Sequence, residues 1–364
     1  MKQATRLGSR EGDRANHFNL LRMLAATGVL VSHAYPISLG PDAVQPLEAW
    51  LQGTTLGTVC VYIFFAISGY FITRSFAHSP SWSRFLAARA LRLFPALLVV
   101  LCVTVLASAT LLSTAAPGLF WSEVPGYLAS NLTLFRLDYD LPGVFEANPY
   151  GVAINGSLWT LFYEVLCYMG VFLAGLLGIL HRPRAFGALL AVIVLLCLAM
   201  PALPVPDRLD TLARLGLPFT IGAGFWLLRD RLPLSPLAAL GLLAIAALSH
   251  GTPAFLPMLT LALAYGIFVL GYWPSRLFES YNRLGDYSYG MYIYAFPIQQ
   301  IVASNGITDP LLNICLALPL TLLCAVLSWK LVERPALQLK PKPRADRSSQ
   351  KHVYLSRQAK TREL

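Results

Sequence analysis

Charge is what this sequence has least of. Of its 364 residues only 13% are charged, 56% are hydrophobic, and the mean hydropathy is +0.59. A soluble chain carries about twice that charged fraction, so a string of soluble domains is excluded despite a length that would allow it. Cysteine is sparse as well. The six (60, 102, 167, 197, 315 and 324) all lie in apolar stretches, which makes them small packed residues and not a disulfide framework. No cleavable leader is expected, because Arg22 interrupts the first apolar run and no small-x-small site follows it. Internal repetition is missing too: residues 1–180 and 181–335 show no convincing similarity, whereas many transporters are built from repeated halves.

What the chain has in abundance is apolar runs of spanning length. Windows of about 20 residues give spans near 19–38, 54–74, 93–112, 157–180, 185–202, 212–228, 234–250, 254–272, 287–303 and 311–331. The expected fold is therefore all-α, a polytopic integral membrane bundle of about ten transmembrane helices. Phe120–Arg136 is too interrupted to span and reads as a surface helix. Basic residues gather at Lys2, Arg6, Arg10 and Arg14 and in every second connection: Arg74 to Arg92, Arg182 and Arg184, Arg229 and Arg231, Arg276 and Arg283, then the tail from Lys330. The other connections hold only Arg136, Arg208 and Arg214. By the positive-inside rule both termini are cytoplasmic. The net charge of +10 then calls for no nucleic acid. The expected organisation is a basic N-terminus at 1–17, a membrane domain at 18–335, and a basic, disordered tail at 336–364 able to touch anionic lipid.

Phe18–Pro36 carries Arg22 and His33 inside an apolar run. Eleven helical residues turn the chain by about three full turns, so both side chains share one face, roughly 16 Å apart along the axis. Titratable groups within a span usually face a polar cavity. Read alone, the pair also admits a snorkelling arginine and a packed histidine. Glu164 is the one acidic residue inside the spans as drawn. It lies roughly 10 Å from the outer start of its helix, near the depth of His33, where Asn155 or Ser157 can cap that start. A carboxylate that orients an imidazole is a recurrent acid–base unit. The alternative is a structural Glu bonded to a neighbouring tyrosine such as Tyr163.

Ser68–Gly69 permits close approach of another backbone or of a ligand. Arg89 and Arg92, three apart on one helical face, have the spacing of a phosphate-binding pair, although connections on that side are rich in arginine anyway. The long outer connection 113–156 places Glu123, Asp138, Asp140 and Glu146 beside Trp121, Tyr127, Tyr139 and Tyr150. Carboxylates and rings suit sugar binding, and a solvated loop with interfacial aromatics explains them as well.

Several of these stretches resemble the membrane acyltransferase-3 family: Arg22-x10-His33, FFAISGYFIT at 64–73, the arginines before Pro95, NGSLWTLFYE at 155–164, LGDYSYGMYIYAFP at 284–297 and VERP at 332–335. The resemblance covers about residues 18–335, in the family's order. It implies a bacterial inner-membrane acyltransferase that moves acyl groups, usually acetyl from acetyl-CoA, to extracytoplasmic carbohydrate or glycolipid, with no metal. It implies His33 as catalytic residue, Arg22 as its partner in the motif, Glu164 as the acidic residue, and Arg89 and Arg92 on the CoA phosphates. The pantetheine arm would pass Ser68, Gly69 and Tyr70. One departure is Ala295, where many members have a histidine before the helix proline. No appended soluble domain is expected. The competing class is a transporter or flippase for sugars or lipid-linked saccharides.

Overall fold

The computed structural model describes residues 5–13, 16–79, 81–200, 204–274, 281–282 and 284–340. Lys2, Arg14, Arg276, Arg283 and the tail beyond 340 lie outside the described residues. Among those described there is no strand beyond one isolated bridge between Arg6 and Pro233. The helices are α1 (Phe18–Leu39), α2 (Leu56–Ala77), α3 (Trp82–Ala107), α4 (Pro117–Thr133), α5 (Trp159–Leu176), α6 (Pro183–Ala199), α7 (Asp207–Leu227), α8 (Pro236–Leu248), α9 (Phe255–Gly271), α10 (Ser288–Ser304), α11 (Pro310–Ser328) and α12 (Arg334–Gln338). Each apolar window of the sequence coincides with one of them, and the interrupted stretch around Phe120 is α4. Five helical segments are long and apolar enough to cross a bilayer: Phe18–Leu39, Leu56–Ala77, Trp82–Leu112, Gly156–Leu176 and Pro310–Gln338. The protein is a helical membrane protein.

Local chemistry sets the ends. Thr55 accepts the Thr58 amide at 3.1 Å to start α2, and Asp309 accepts the Leu312 amide at 2.7 Å to start α11. Asn155, and not Ser157, caps the turn that leads into α5, taking the Ser157 amide at 3.2 Å. Gly40, at φ +104°, ends α1. The helix carrying Arg89 and Arg92 begins at Trp82, eleven residues before the apolar window, because Ser81 caps it by accepting the Arg84 amide.

The bundle is organised on a seam between α2 and α7 where backbone meets backbone. A Cβ on Gly69 would stand 1.9 Å from the Phe219 carbonyl oxygen, and one on Gly222 would stand 2.0 Å from that of Ala66. Tyr70, fully buried, closes the same seam against Trp226 and Phe268, with ring centroids 5.5 and 4.9 Å away. Neither obstacle to a methyl at Gly69 is a side chain that could rotate aside. Gly69→Ala is therefore expected to destabilise the fold by about 1–3 kcal/mol, read as a lower melting temperature in detergent. An unchanged melting temperature would show that the two helices can part at no cost.

Candidate active site

Six parts of the chain converge on one cavity of about 290 Å³, lined by Arg22 of α1, Ser68 of α2, Arg89 and Arg92 of α3, Glu164 and Tyr168 of α5, Asp286 and Tyr292 at α10, and Trp329 after α11. Helical spacing puts Arg89 and Arg92 on one face, and the side that α3 presents to α10 decides their surroundings. Arg92 is saturated. Its Nη2 lies 2.6 Å from Asp286 Oδ2 and its Nη1 lies 3.1 Å from Glu333 Oε2, with the rings of Tyr289 and Trp329 each 5.8 Å from the guanidinium carbon. Arg22 shares Asp286, at 3.6 Å, and lies over Phe71. Arg89 differs: it makes no ion pair among the described residues, its Nε is buried without a hydrogen-bond partner, and its nearest ring is Tyr168 at 5.9 Å.

Two short backbone devices deliver the carboxylates. Between α11 and α12 the helix widens into a π turn, Trp329–Glu333. Five residues in an α-helix would turn Glu333 well away from Ser328, but the π turn aligns them, and Ser328 Oγ donates to Glu333 Oε1 at 3.0 Å. Glu333 is thereby buried and aimed at Arg92. Before α10, Gly285 at φ +126° leaves no room for a side chain against Trp329. Asp286 follows, with its Oδ1 held by Ser288 Oγ at 2.6 Å and Oδ2 left for the arginines. Burial alone would raise the Asp286 carboxyl; Arg92, Arg22 and the Ser288 hydrogen bonds outweigh it and hold the group below its ordinary value.

The structure corrects the pairing of Glu164 with His33. Glu164 Oε1 accepts a hydrogen bond from Tyr168 Oη, one turn on along α5, and faces the arginine-lined cavity. The bond is to Tyr168 and not to Tyr163. His33 does not line that cavity. Its ring meets Phe296 edge-on at 5.5 Å, and its Nδ1 is buried without a hydrogen-bond partner. Phe296 also packs on the start of α5, where a Cβ on Gly156 would come within 2.7 Å of it. Equal depth thus does not mean contact: the imidazole meets the α10 ring, which packs on the turn before α5, while Glu164 turns to Tyr168. Gly69 and Tyr70 likewise leave the cavity to Ser68 and serve the α2–α7 seam.

Thr160 and Tyr292 belong to the cavity wall, and His33 does not. Thr160 Oγ1 lies 2.6 Å from Tyr292 Oη, which donates to the Ser157 carbonyl at 3.0 Å. Phe296, against which His33 packs, is one turn beyond Tyr292 on α10, about 6 Å along the axis. Tyr150, from the loop before α5, meets the same Phe296 ring at 5.3 Å. Other loop residues divide. Tyr127 is buried and Glu146 accepts the Gly143 amide at 3.2 Å, so both serve the loop itself, while Trp121 and Tyr139 are exposed. Asp138 is raised by burial and by neighbouring Asp140. Ala295 packs between α1 and α11 with Ala26, Leu30 and Ala325.

A cationic, carboxylate-balanced cavity with an imidazole packed one turn along α10 from its wall suits group transfer better than passage of a solute. Comparison with known proteins decides the class. A family model described as an acyltransferase domain, that of acyltransferase-3, matches residues 16–330. The chain belongs to the acyltransferase-3 family. It is 31% identical over 335 residues to an O-acetyl transferase of Shigella phage Sf6, covering 88% of this chain and 96% of that protein. It is 27% identical over 367 residues to Nodulation protein 10 of Rhizobium leguminosarum bv. viciae, covering 89% and 94%. No solved structure matches. As an acyltransferase-3 member the chain is an acyltransferase, and the transporter reading is set aside. Asp286 and Glu333 both lie within family-like stretches of the sequence, LGDYSYGM and VERP, yet neither was singled out as a site residue.

Proposed function

We propose that this enzyme moves an acyl group, acetyl in the first instance, from acyl-CoA to a hydroxyl of an extracytoplasmic carbohydrate or glycolipid. It does so in a bacterial inner membrane that it crosses about ten times with both termini cytoplasmic. The observation that carries this reading is the cavity that gathers Arg22, Arg89 and Arg92, with His33 packed on Phe296, one turn along α10 from Tyr292 of the cavity wall. Cations fixed in a partly dry cavity suit a phosphate-bearing donor. An imidazole held against Phe296, one turn along α10 from the cavity wall, suits a base for an acceptor hydroxyl, or a transient acyl carrier. The acetyl group follows the name of the phage relative. The carbohydrate acceptor rests on exposed Trp121 and Tyr139 and on the place of Tyr150 against the ring that holds His33. Ser68, in the cavity wall, lies along the path of the pantetheine arm.

Membrane vesicles of both orientations test donor and side together. Radiolabelled acetyl-CoA supplied outside inverted vesicles is expected to label membrane glycan or glycolipid, and the same donor outside right-side-out vesicles is not. Equal labelling in both orientations would overturn the sidedness. No labelling in either would overturn the donor.

A further inference from the structure

The arginines of the cavity divide by what already occupies them. Both terminal nitrogens of Arg92 are taken by Asp286 and Glu333, and Arg22 faces Asp286 at 3.6 Å. Their charge is spent on holding α1, α3, α10 and the α11–α12 junction together. Glu164, the remaining carboxylate of the wall, is engaged by Tyr168. Two cations of the wall then have no ion pair among the described residues: Arg89, whose buried Nε has no hydrogen-bond partner, and Lys340, which enters the cavity from just beyond α12 together with Leu337.

We infer that Lys340, supplied by the segment that follows α12, completes the phosphate subsite of the acyl donor beside Arg89, and that Arg92 is a structural residue. The inference rests on the acyl-CoA reading and refines it. Glu164 sets one opposing charge near Arg89, but two partly buried cations against one carboxylate leave an excess of positive charge that a bound anion would offset. The Lys340 ammonium shows that strain: burial first, then Arg89 and Arg92, push its pKa below the ordinary lysine value. A phosphate relieves both terms at once. Arg89 offers a planar fork, and Lys340 offers a point charge on a flexible stem. The adjoining wall of Phe64, Phe65 and Leu161 is apolar, and Phe64 meets Tyr292 at 6.0 Å, so an anion held by Arg89 and Lys340 leaves its uncharged arm an apolar wall to lie against.

Binding to the full-length purified protein separates the roles, with coenzyme A and phosphate-free pantetheine as probes. The wild-type protein is expected to bind coenzyme A more tightly than pantetheine. Lys340→Gln should weaken coenzyme A binding by about tenfold or more and leave pantetheine binding within about twofold, whereas Lys340→Arg should restore most of the preference. Arg89→Gln should behave as Lys340→Gln does, and Arg92→Gln should lower the melting temperature and weaken both probes alike. If the wild type shows no preference for coenzyme A, the donor reading falls and the subsite with it. If the wild type prefers coenzyme A and Lys340→Gln keeps that preference, the donor reading stands and the subsite is wrong.

Discussion

Asp286→Asn is expected to cost about 3–5 kcal/mol of stability, because it removes the shared partner of two largely buried guanidinium groups. Arg92 would keep Glu333, but Arg22 would be left without an ion-pair partner inside an apolar bundle. Thermal unfolding in detergent should show the loss, and transfer activity should fall with it. Acid sharpens the test. The Asp286 carboxyl is held below its ordinary value of 3.8. The stability its charge contributes is therefore complete above that value and is lost as pH falls through the lowered one. The gap in melting temperature between wild type and Asp286→Asn should stay wide at neutral pH and narrow only in strong acid. A variant as stable as the wild type at pH 7 would mean that water or lipid headgroups, and not Asp286, compensate the arginines.

His33→Ala should remove transfer by about 10²–10⁴-fold, the range for loss of a general base, with melting temperature and membrane insertion near wild type. His33 is partly exposed and its only described ring contact is Phe296, so little packing is lost. The geometry adds a second expectation. His33 and Glu164 share no contact and no ring or hydrogen-bond partner, so in a double-mutant cycle with Glu164→Gln the two losses should multiply, with a coupling below about 0.5 kcal/mol. A double variant hardly worse than the poorer single one would bring the two groups together during turnover. Full activity in His33→Ala would remove the histidine from the chemistry altogether.

Much of this arrangement was legible in the sequence, and what was not has physical causes. Apolar windows located the helices because burial in lipid and burial in the bundle leave the same hydropathy signal. Helical periodicity placed Arg22 with His33, and Arg89 with Arg92, each pair on a single face. Depth arithmetic failed for Glu164 because a residue's height along a helix says nothing of its bearing around the axis. The Tyr168 partner was within reach of the same periodicity, four residues on. Asp286 and Glu333 were missed for a different reason. They stand one and two residues outside the windows drawn at 287–303 and 311–331, where hydropathy discards charge as boundary. Only the positive φ of Gly285 and the π turn after Ser328 carry them inward. Ser68–Gly69 was ambiguous from the start, since a small residue signals the approach of a backbone or of a ligand. The structure assigns the backbone to Gly69 and leaves the cavity to Ser68.

That division between two adjacent residues has a consequence for how this protein can change. With carbonyl oxygens of α7 and α2 at the van der Waals limit, α2 can neither roll nor slide without colliding. Ser68, one residue away and about 100° round the helix, is fixed in space by an interface in which it takes no part. Substitutions at Ser68, or at Phe64 and Val61 on the same wall of the cavity, would alter the size and polarity of the space beside them without shifting its frame. The seam works as a fixed reference edge, so the breadth of groups admitted can drift in evolution while the alignment of the cationic end with the route to the histidine is inherited unchanged.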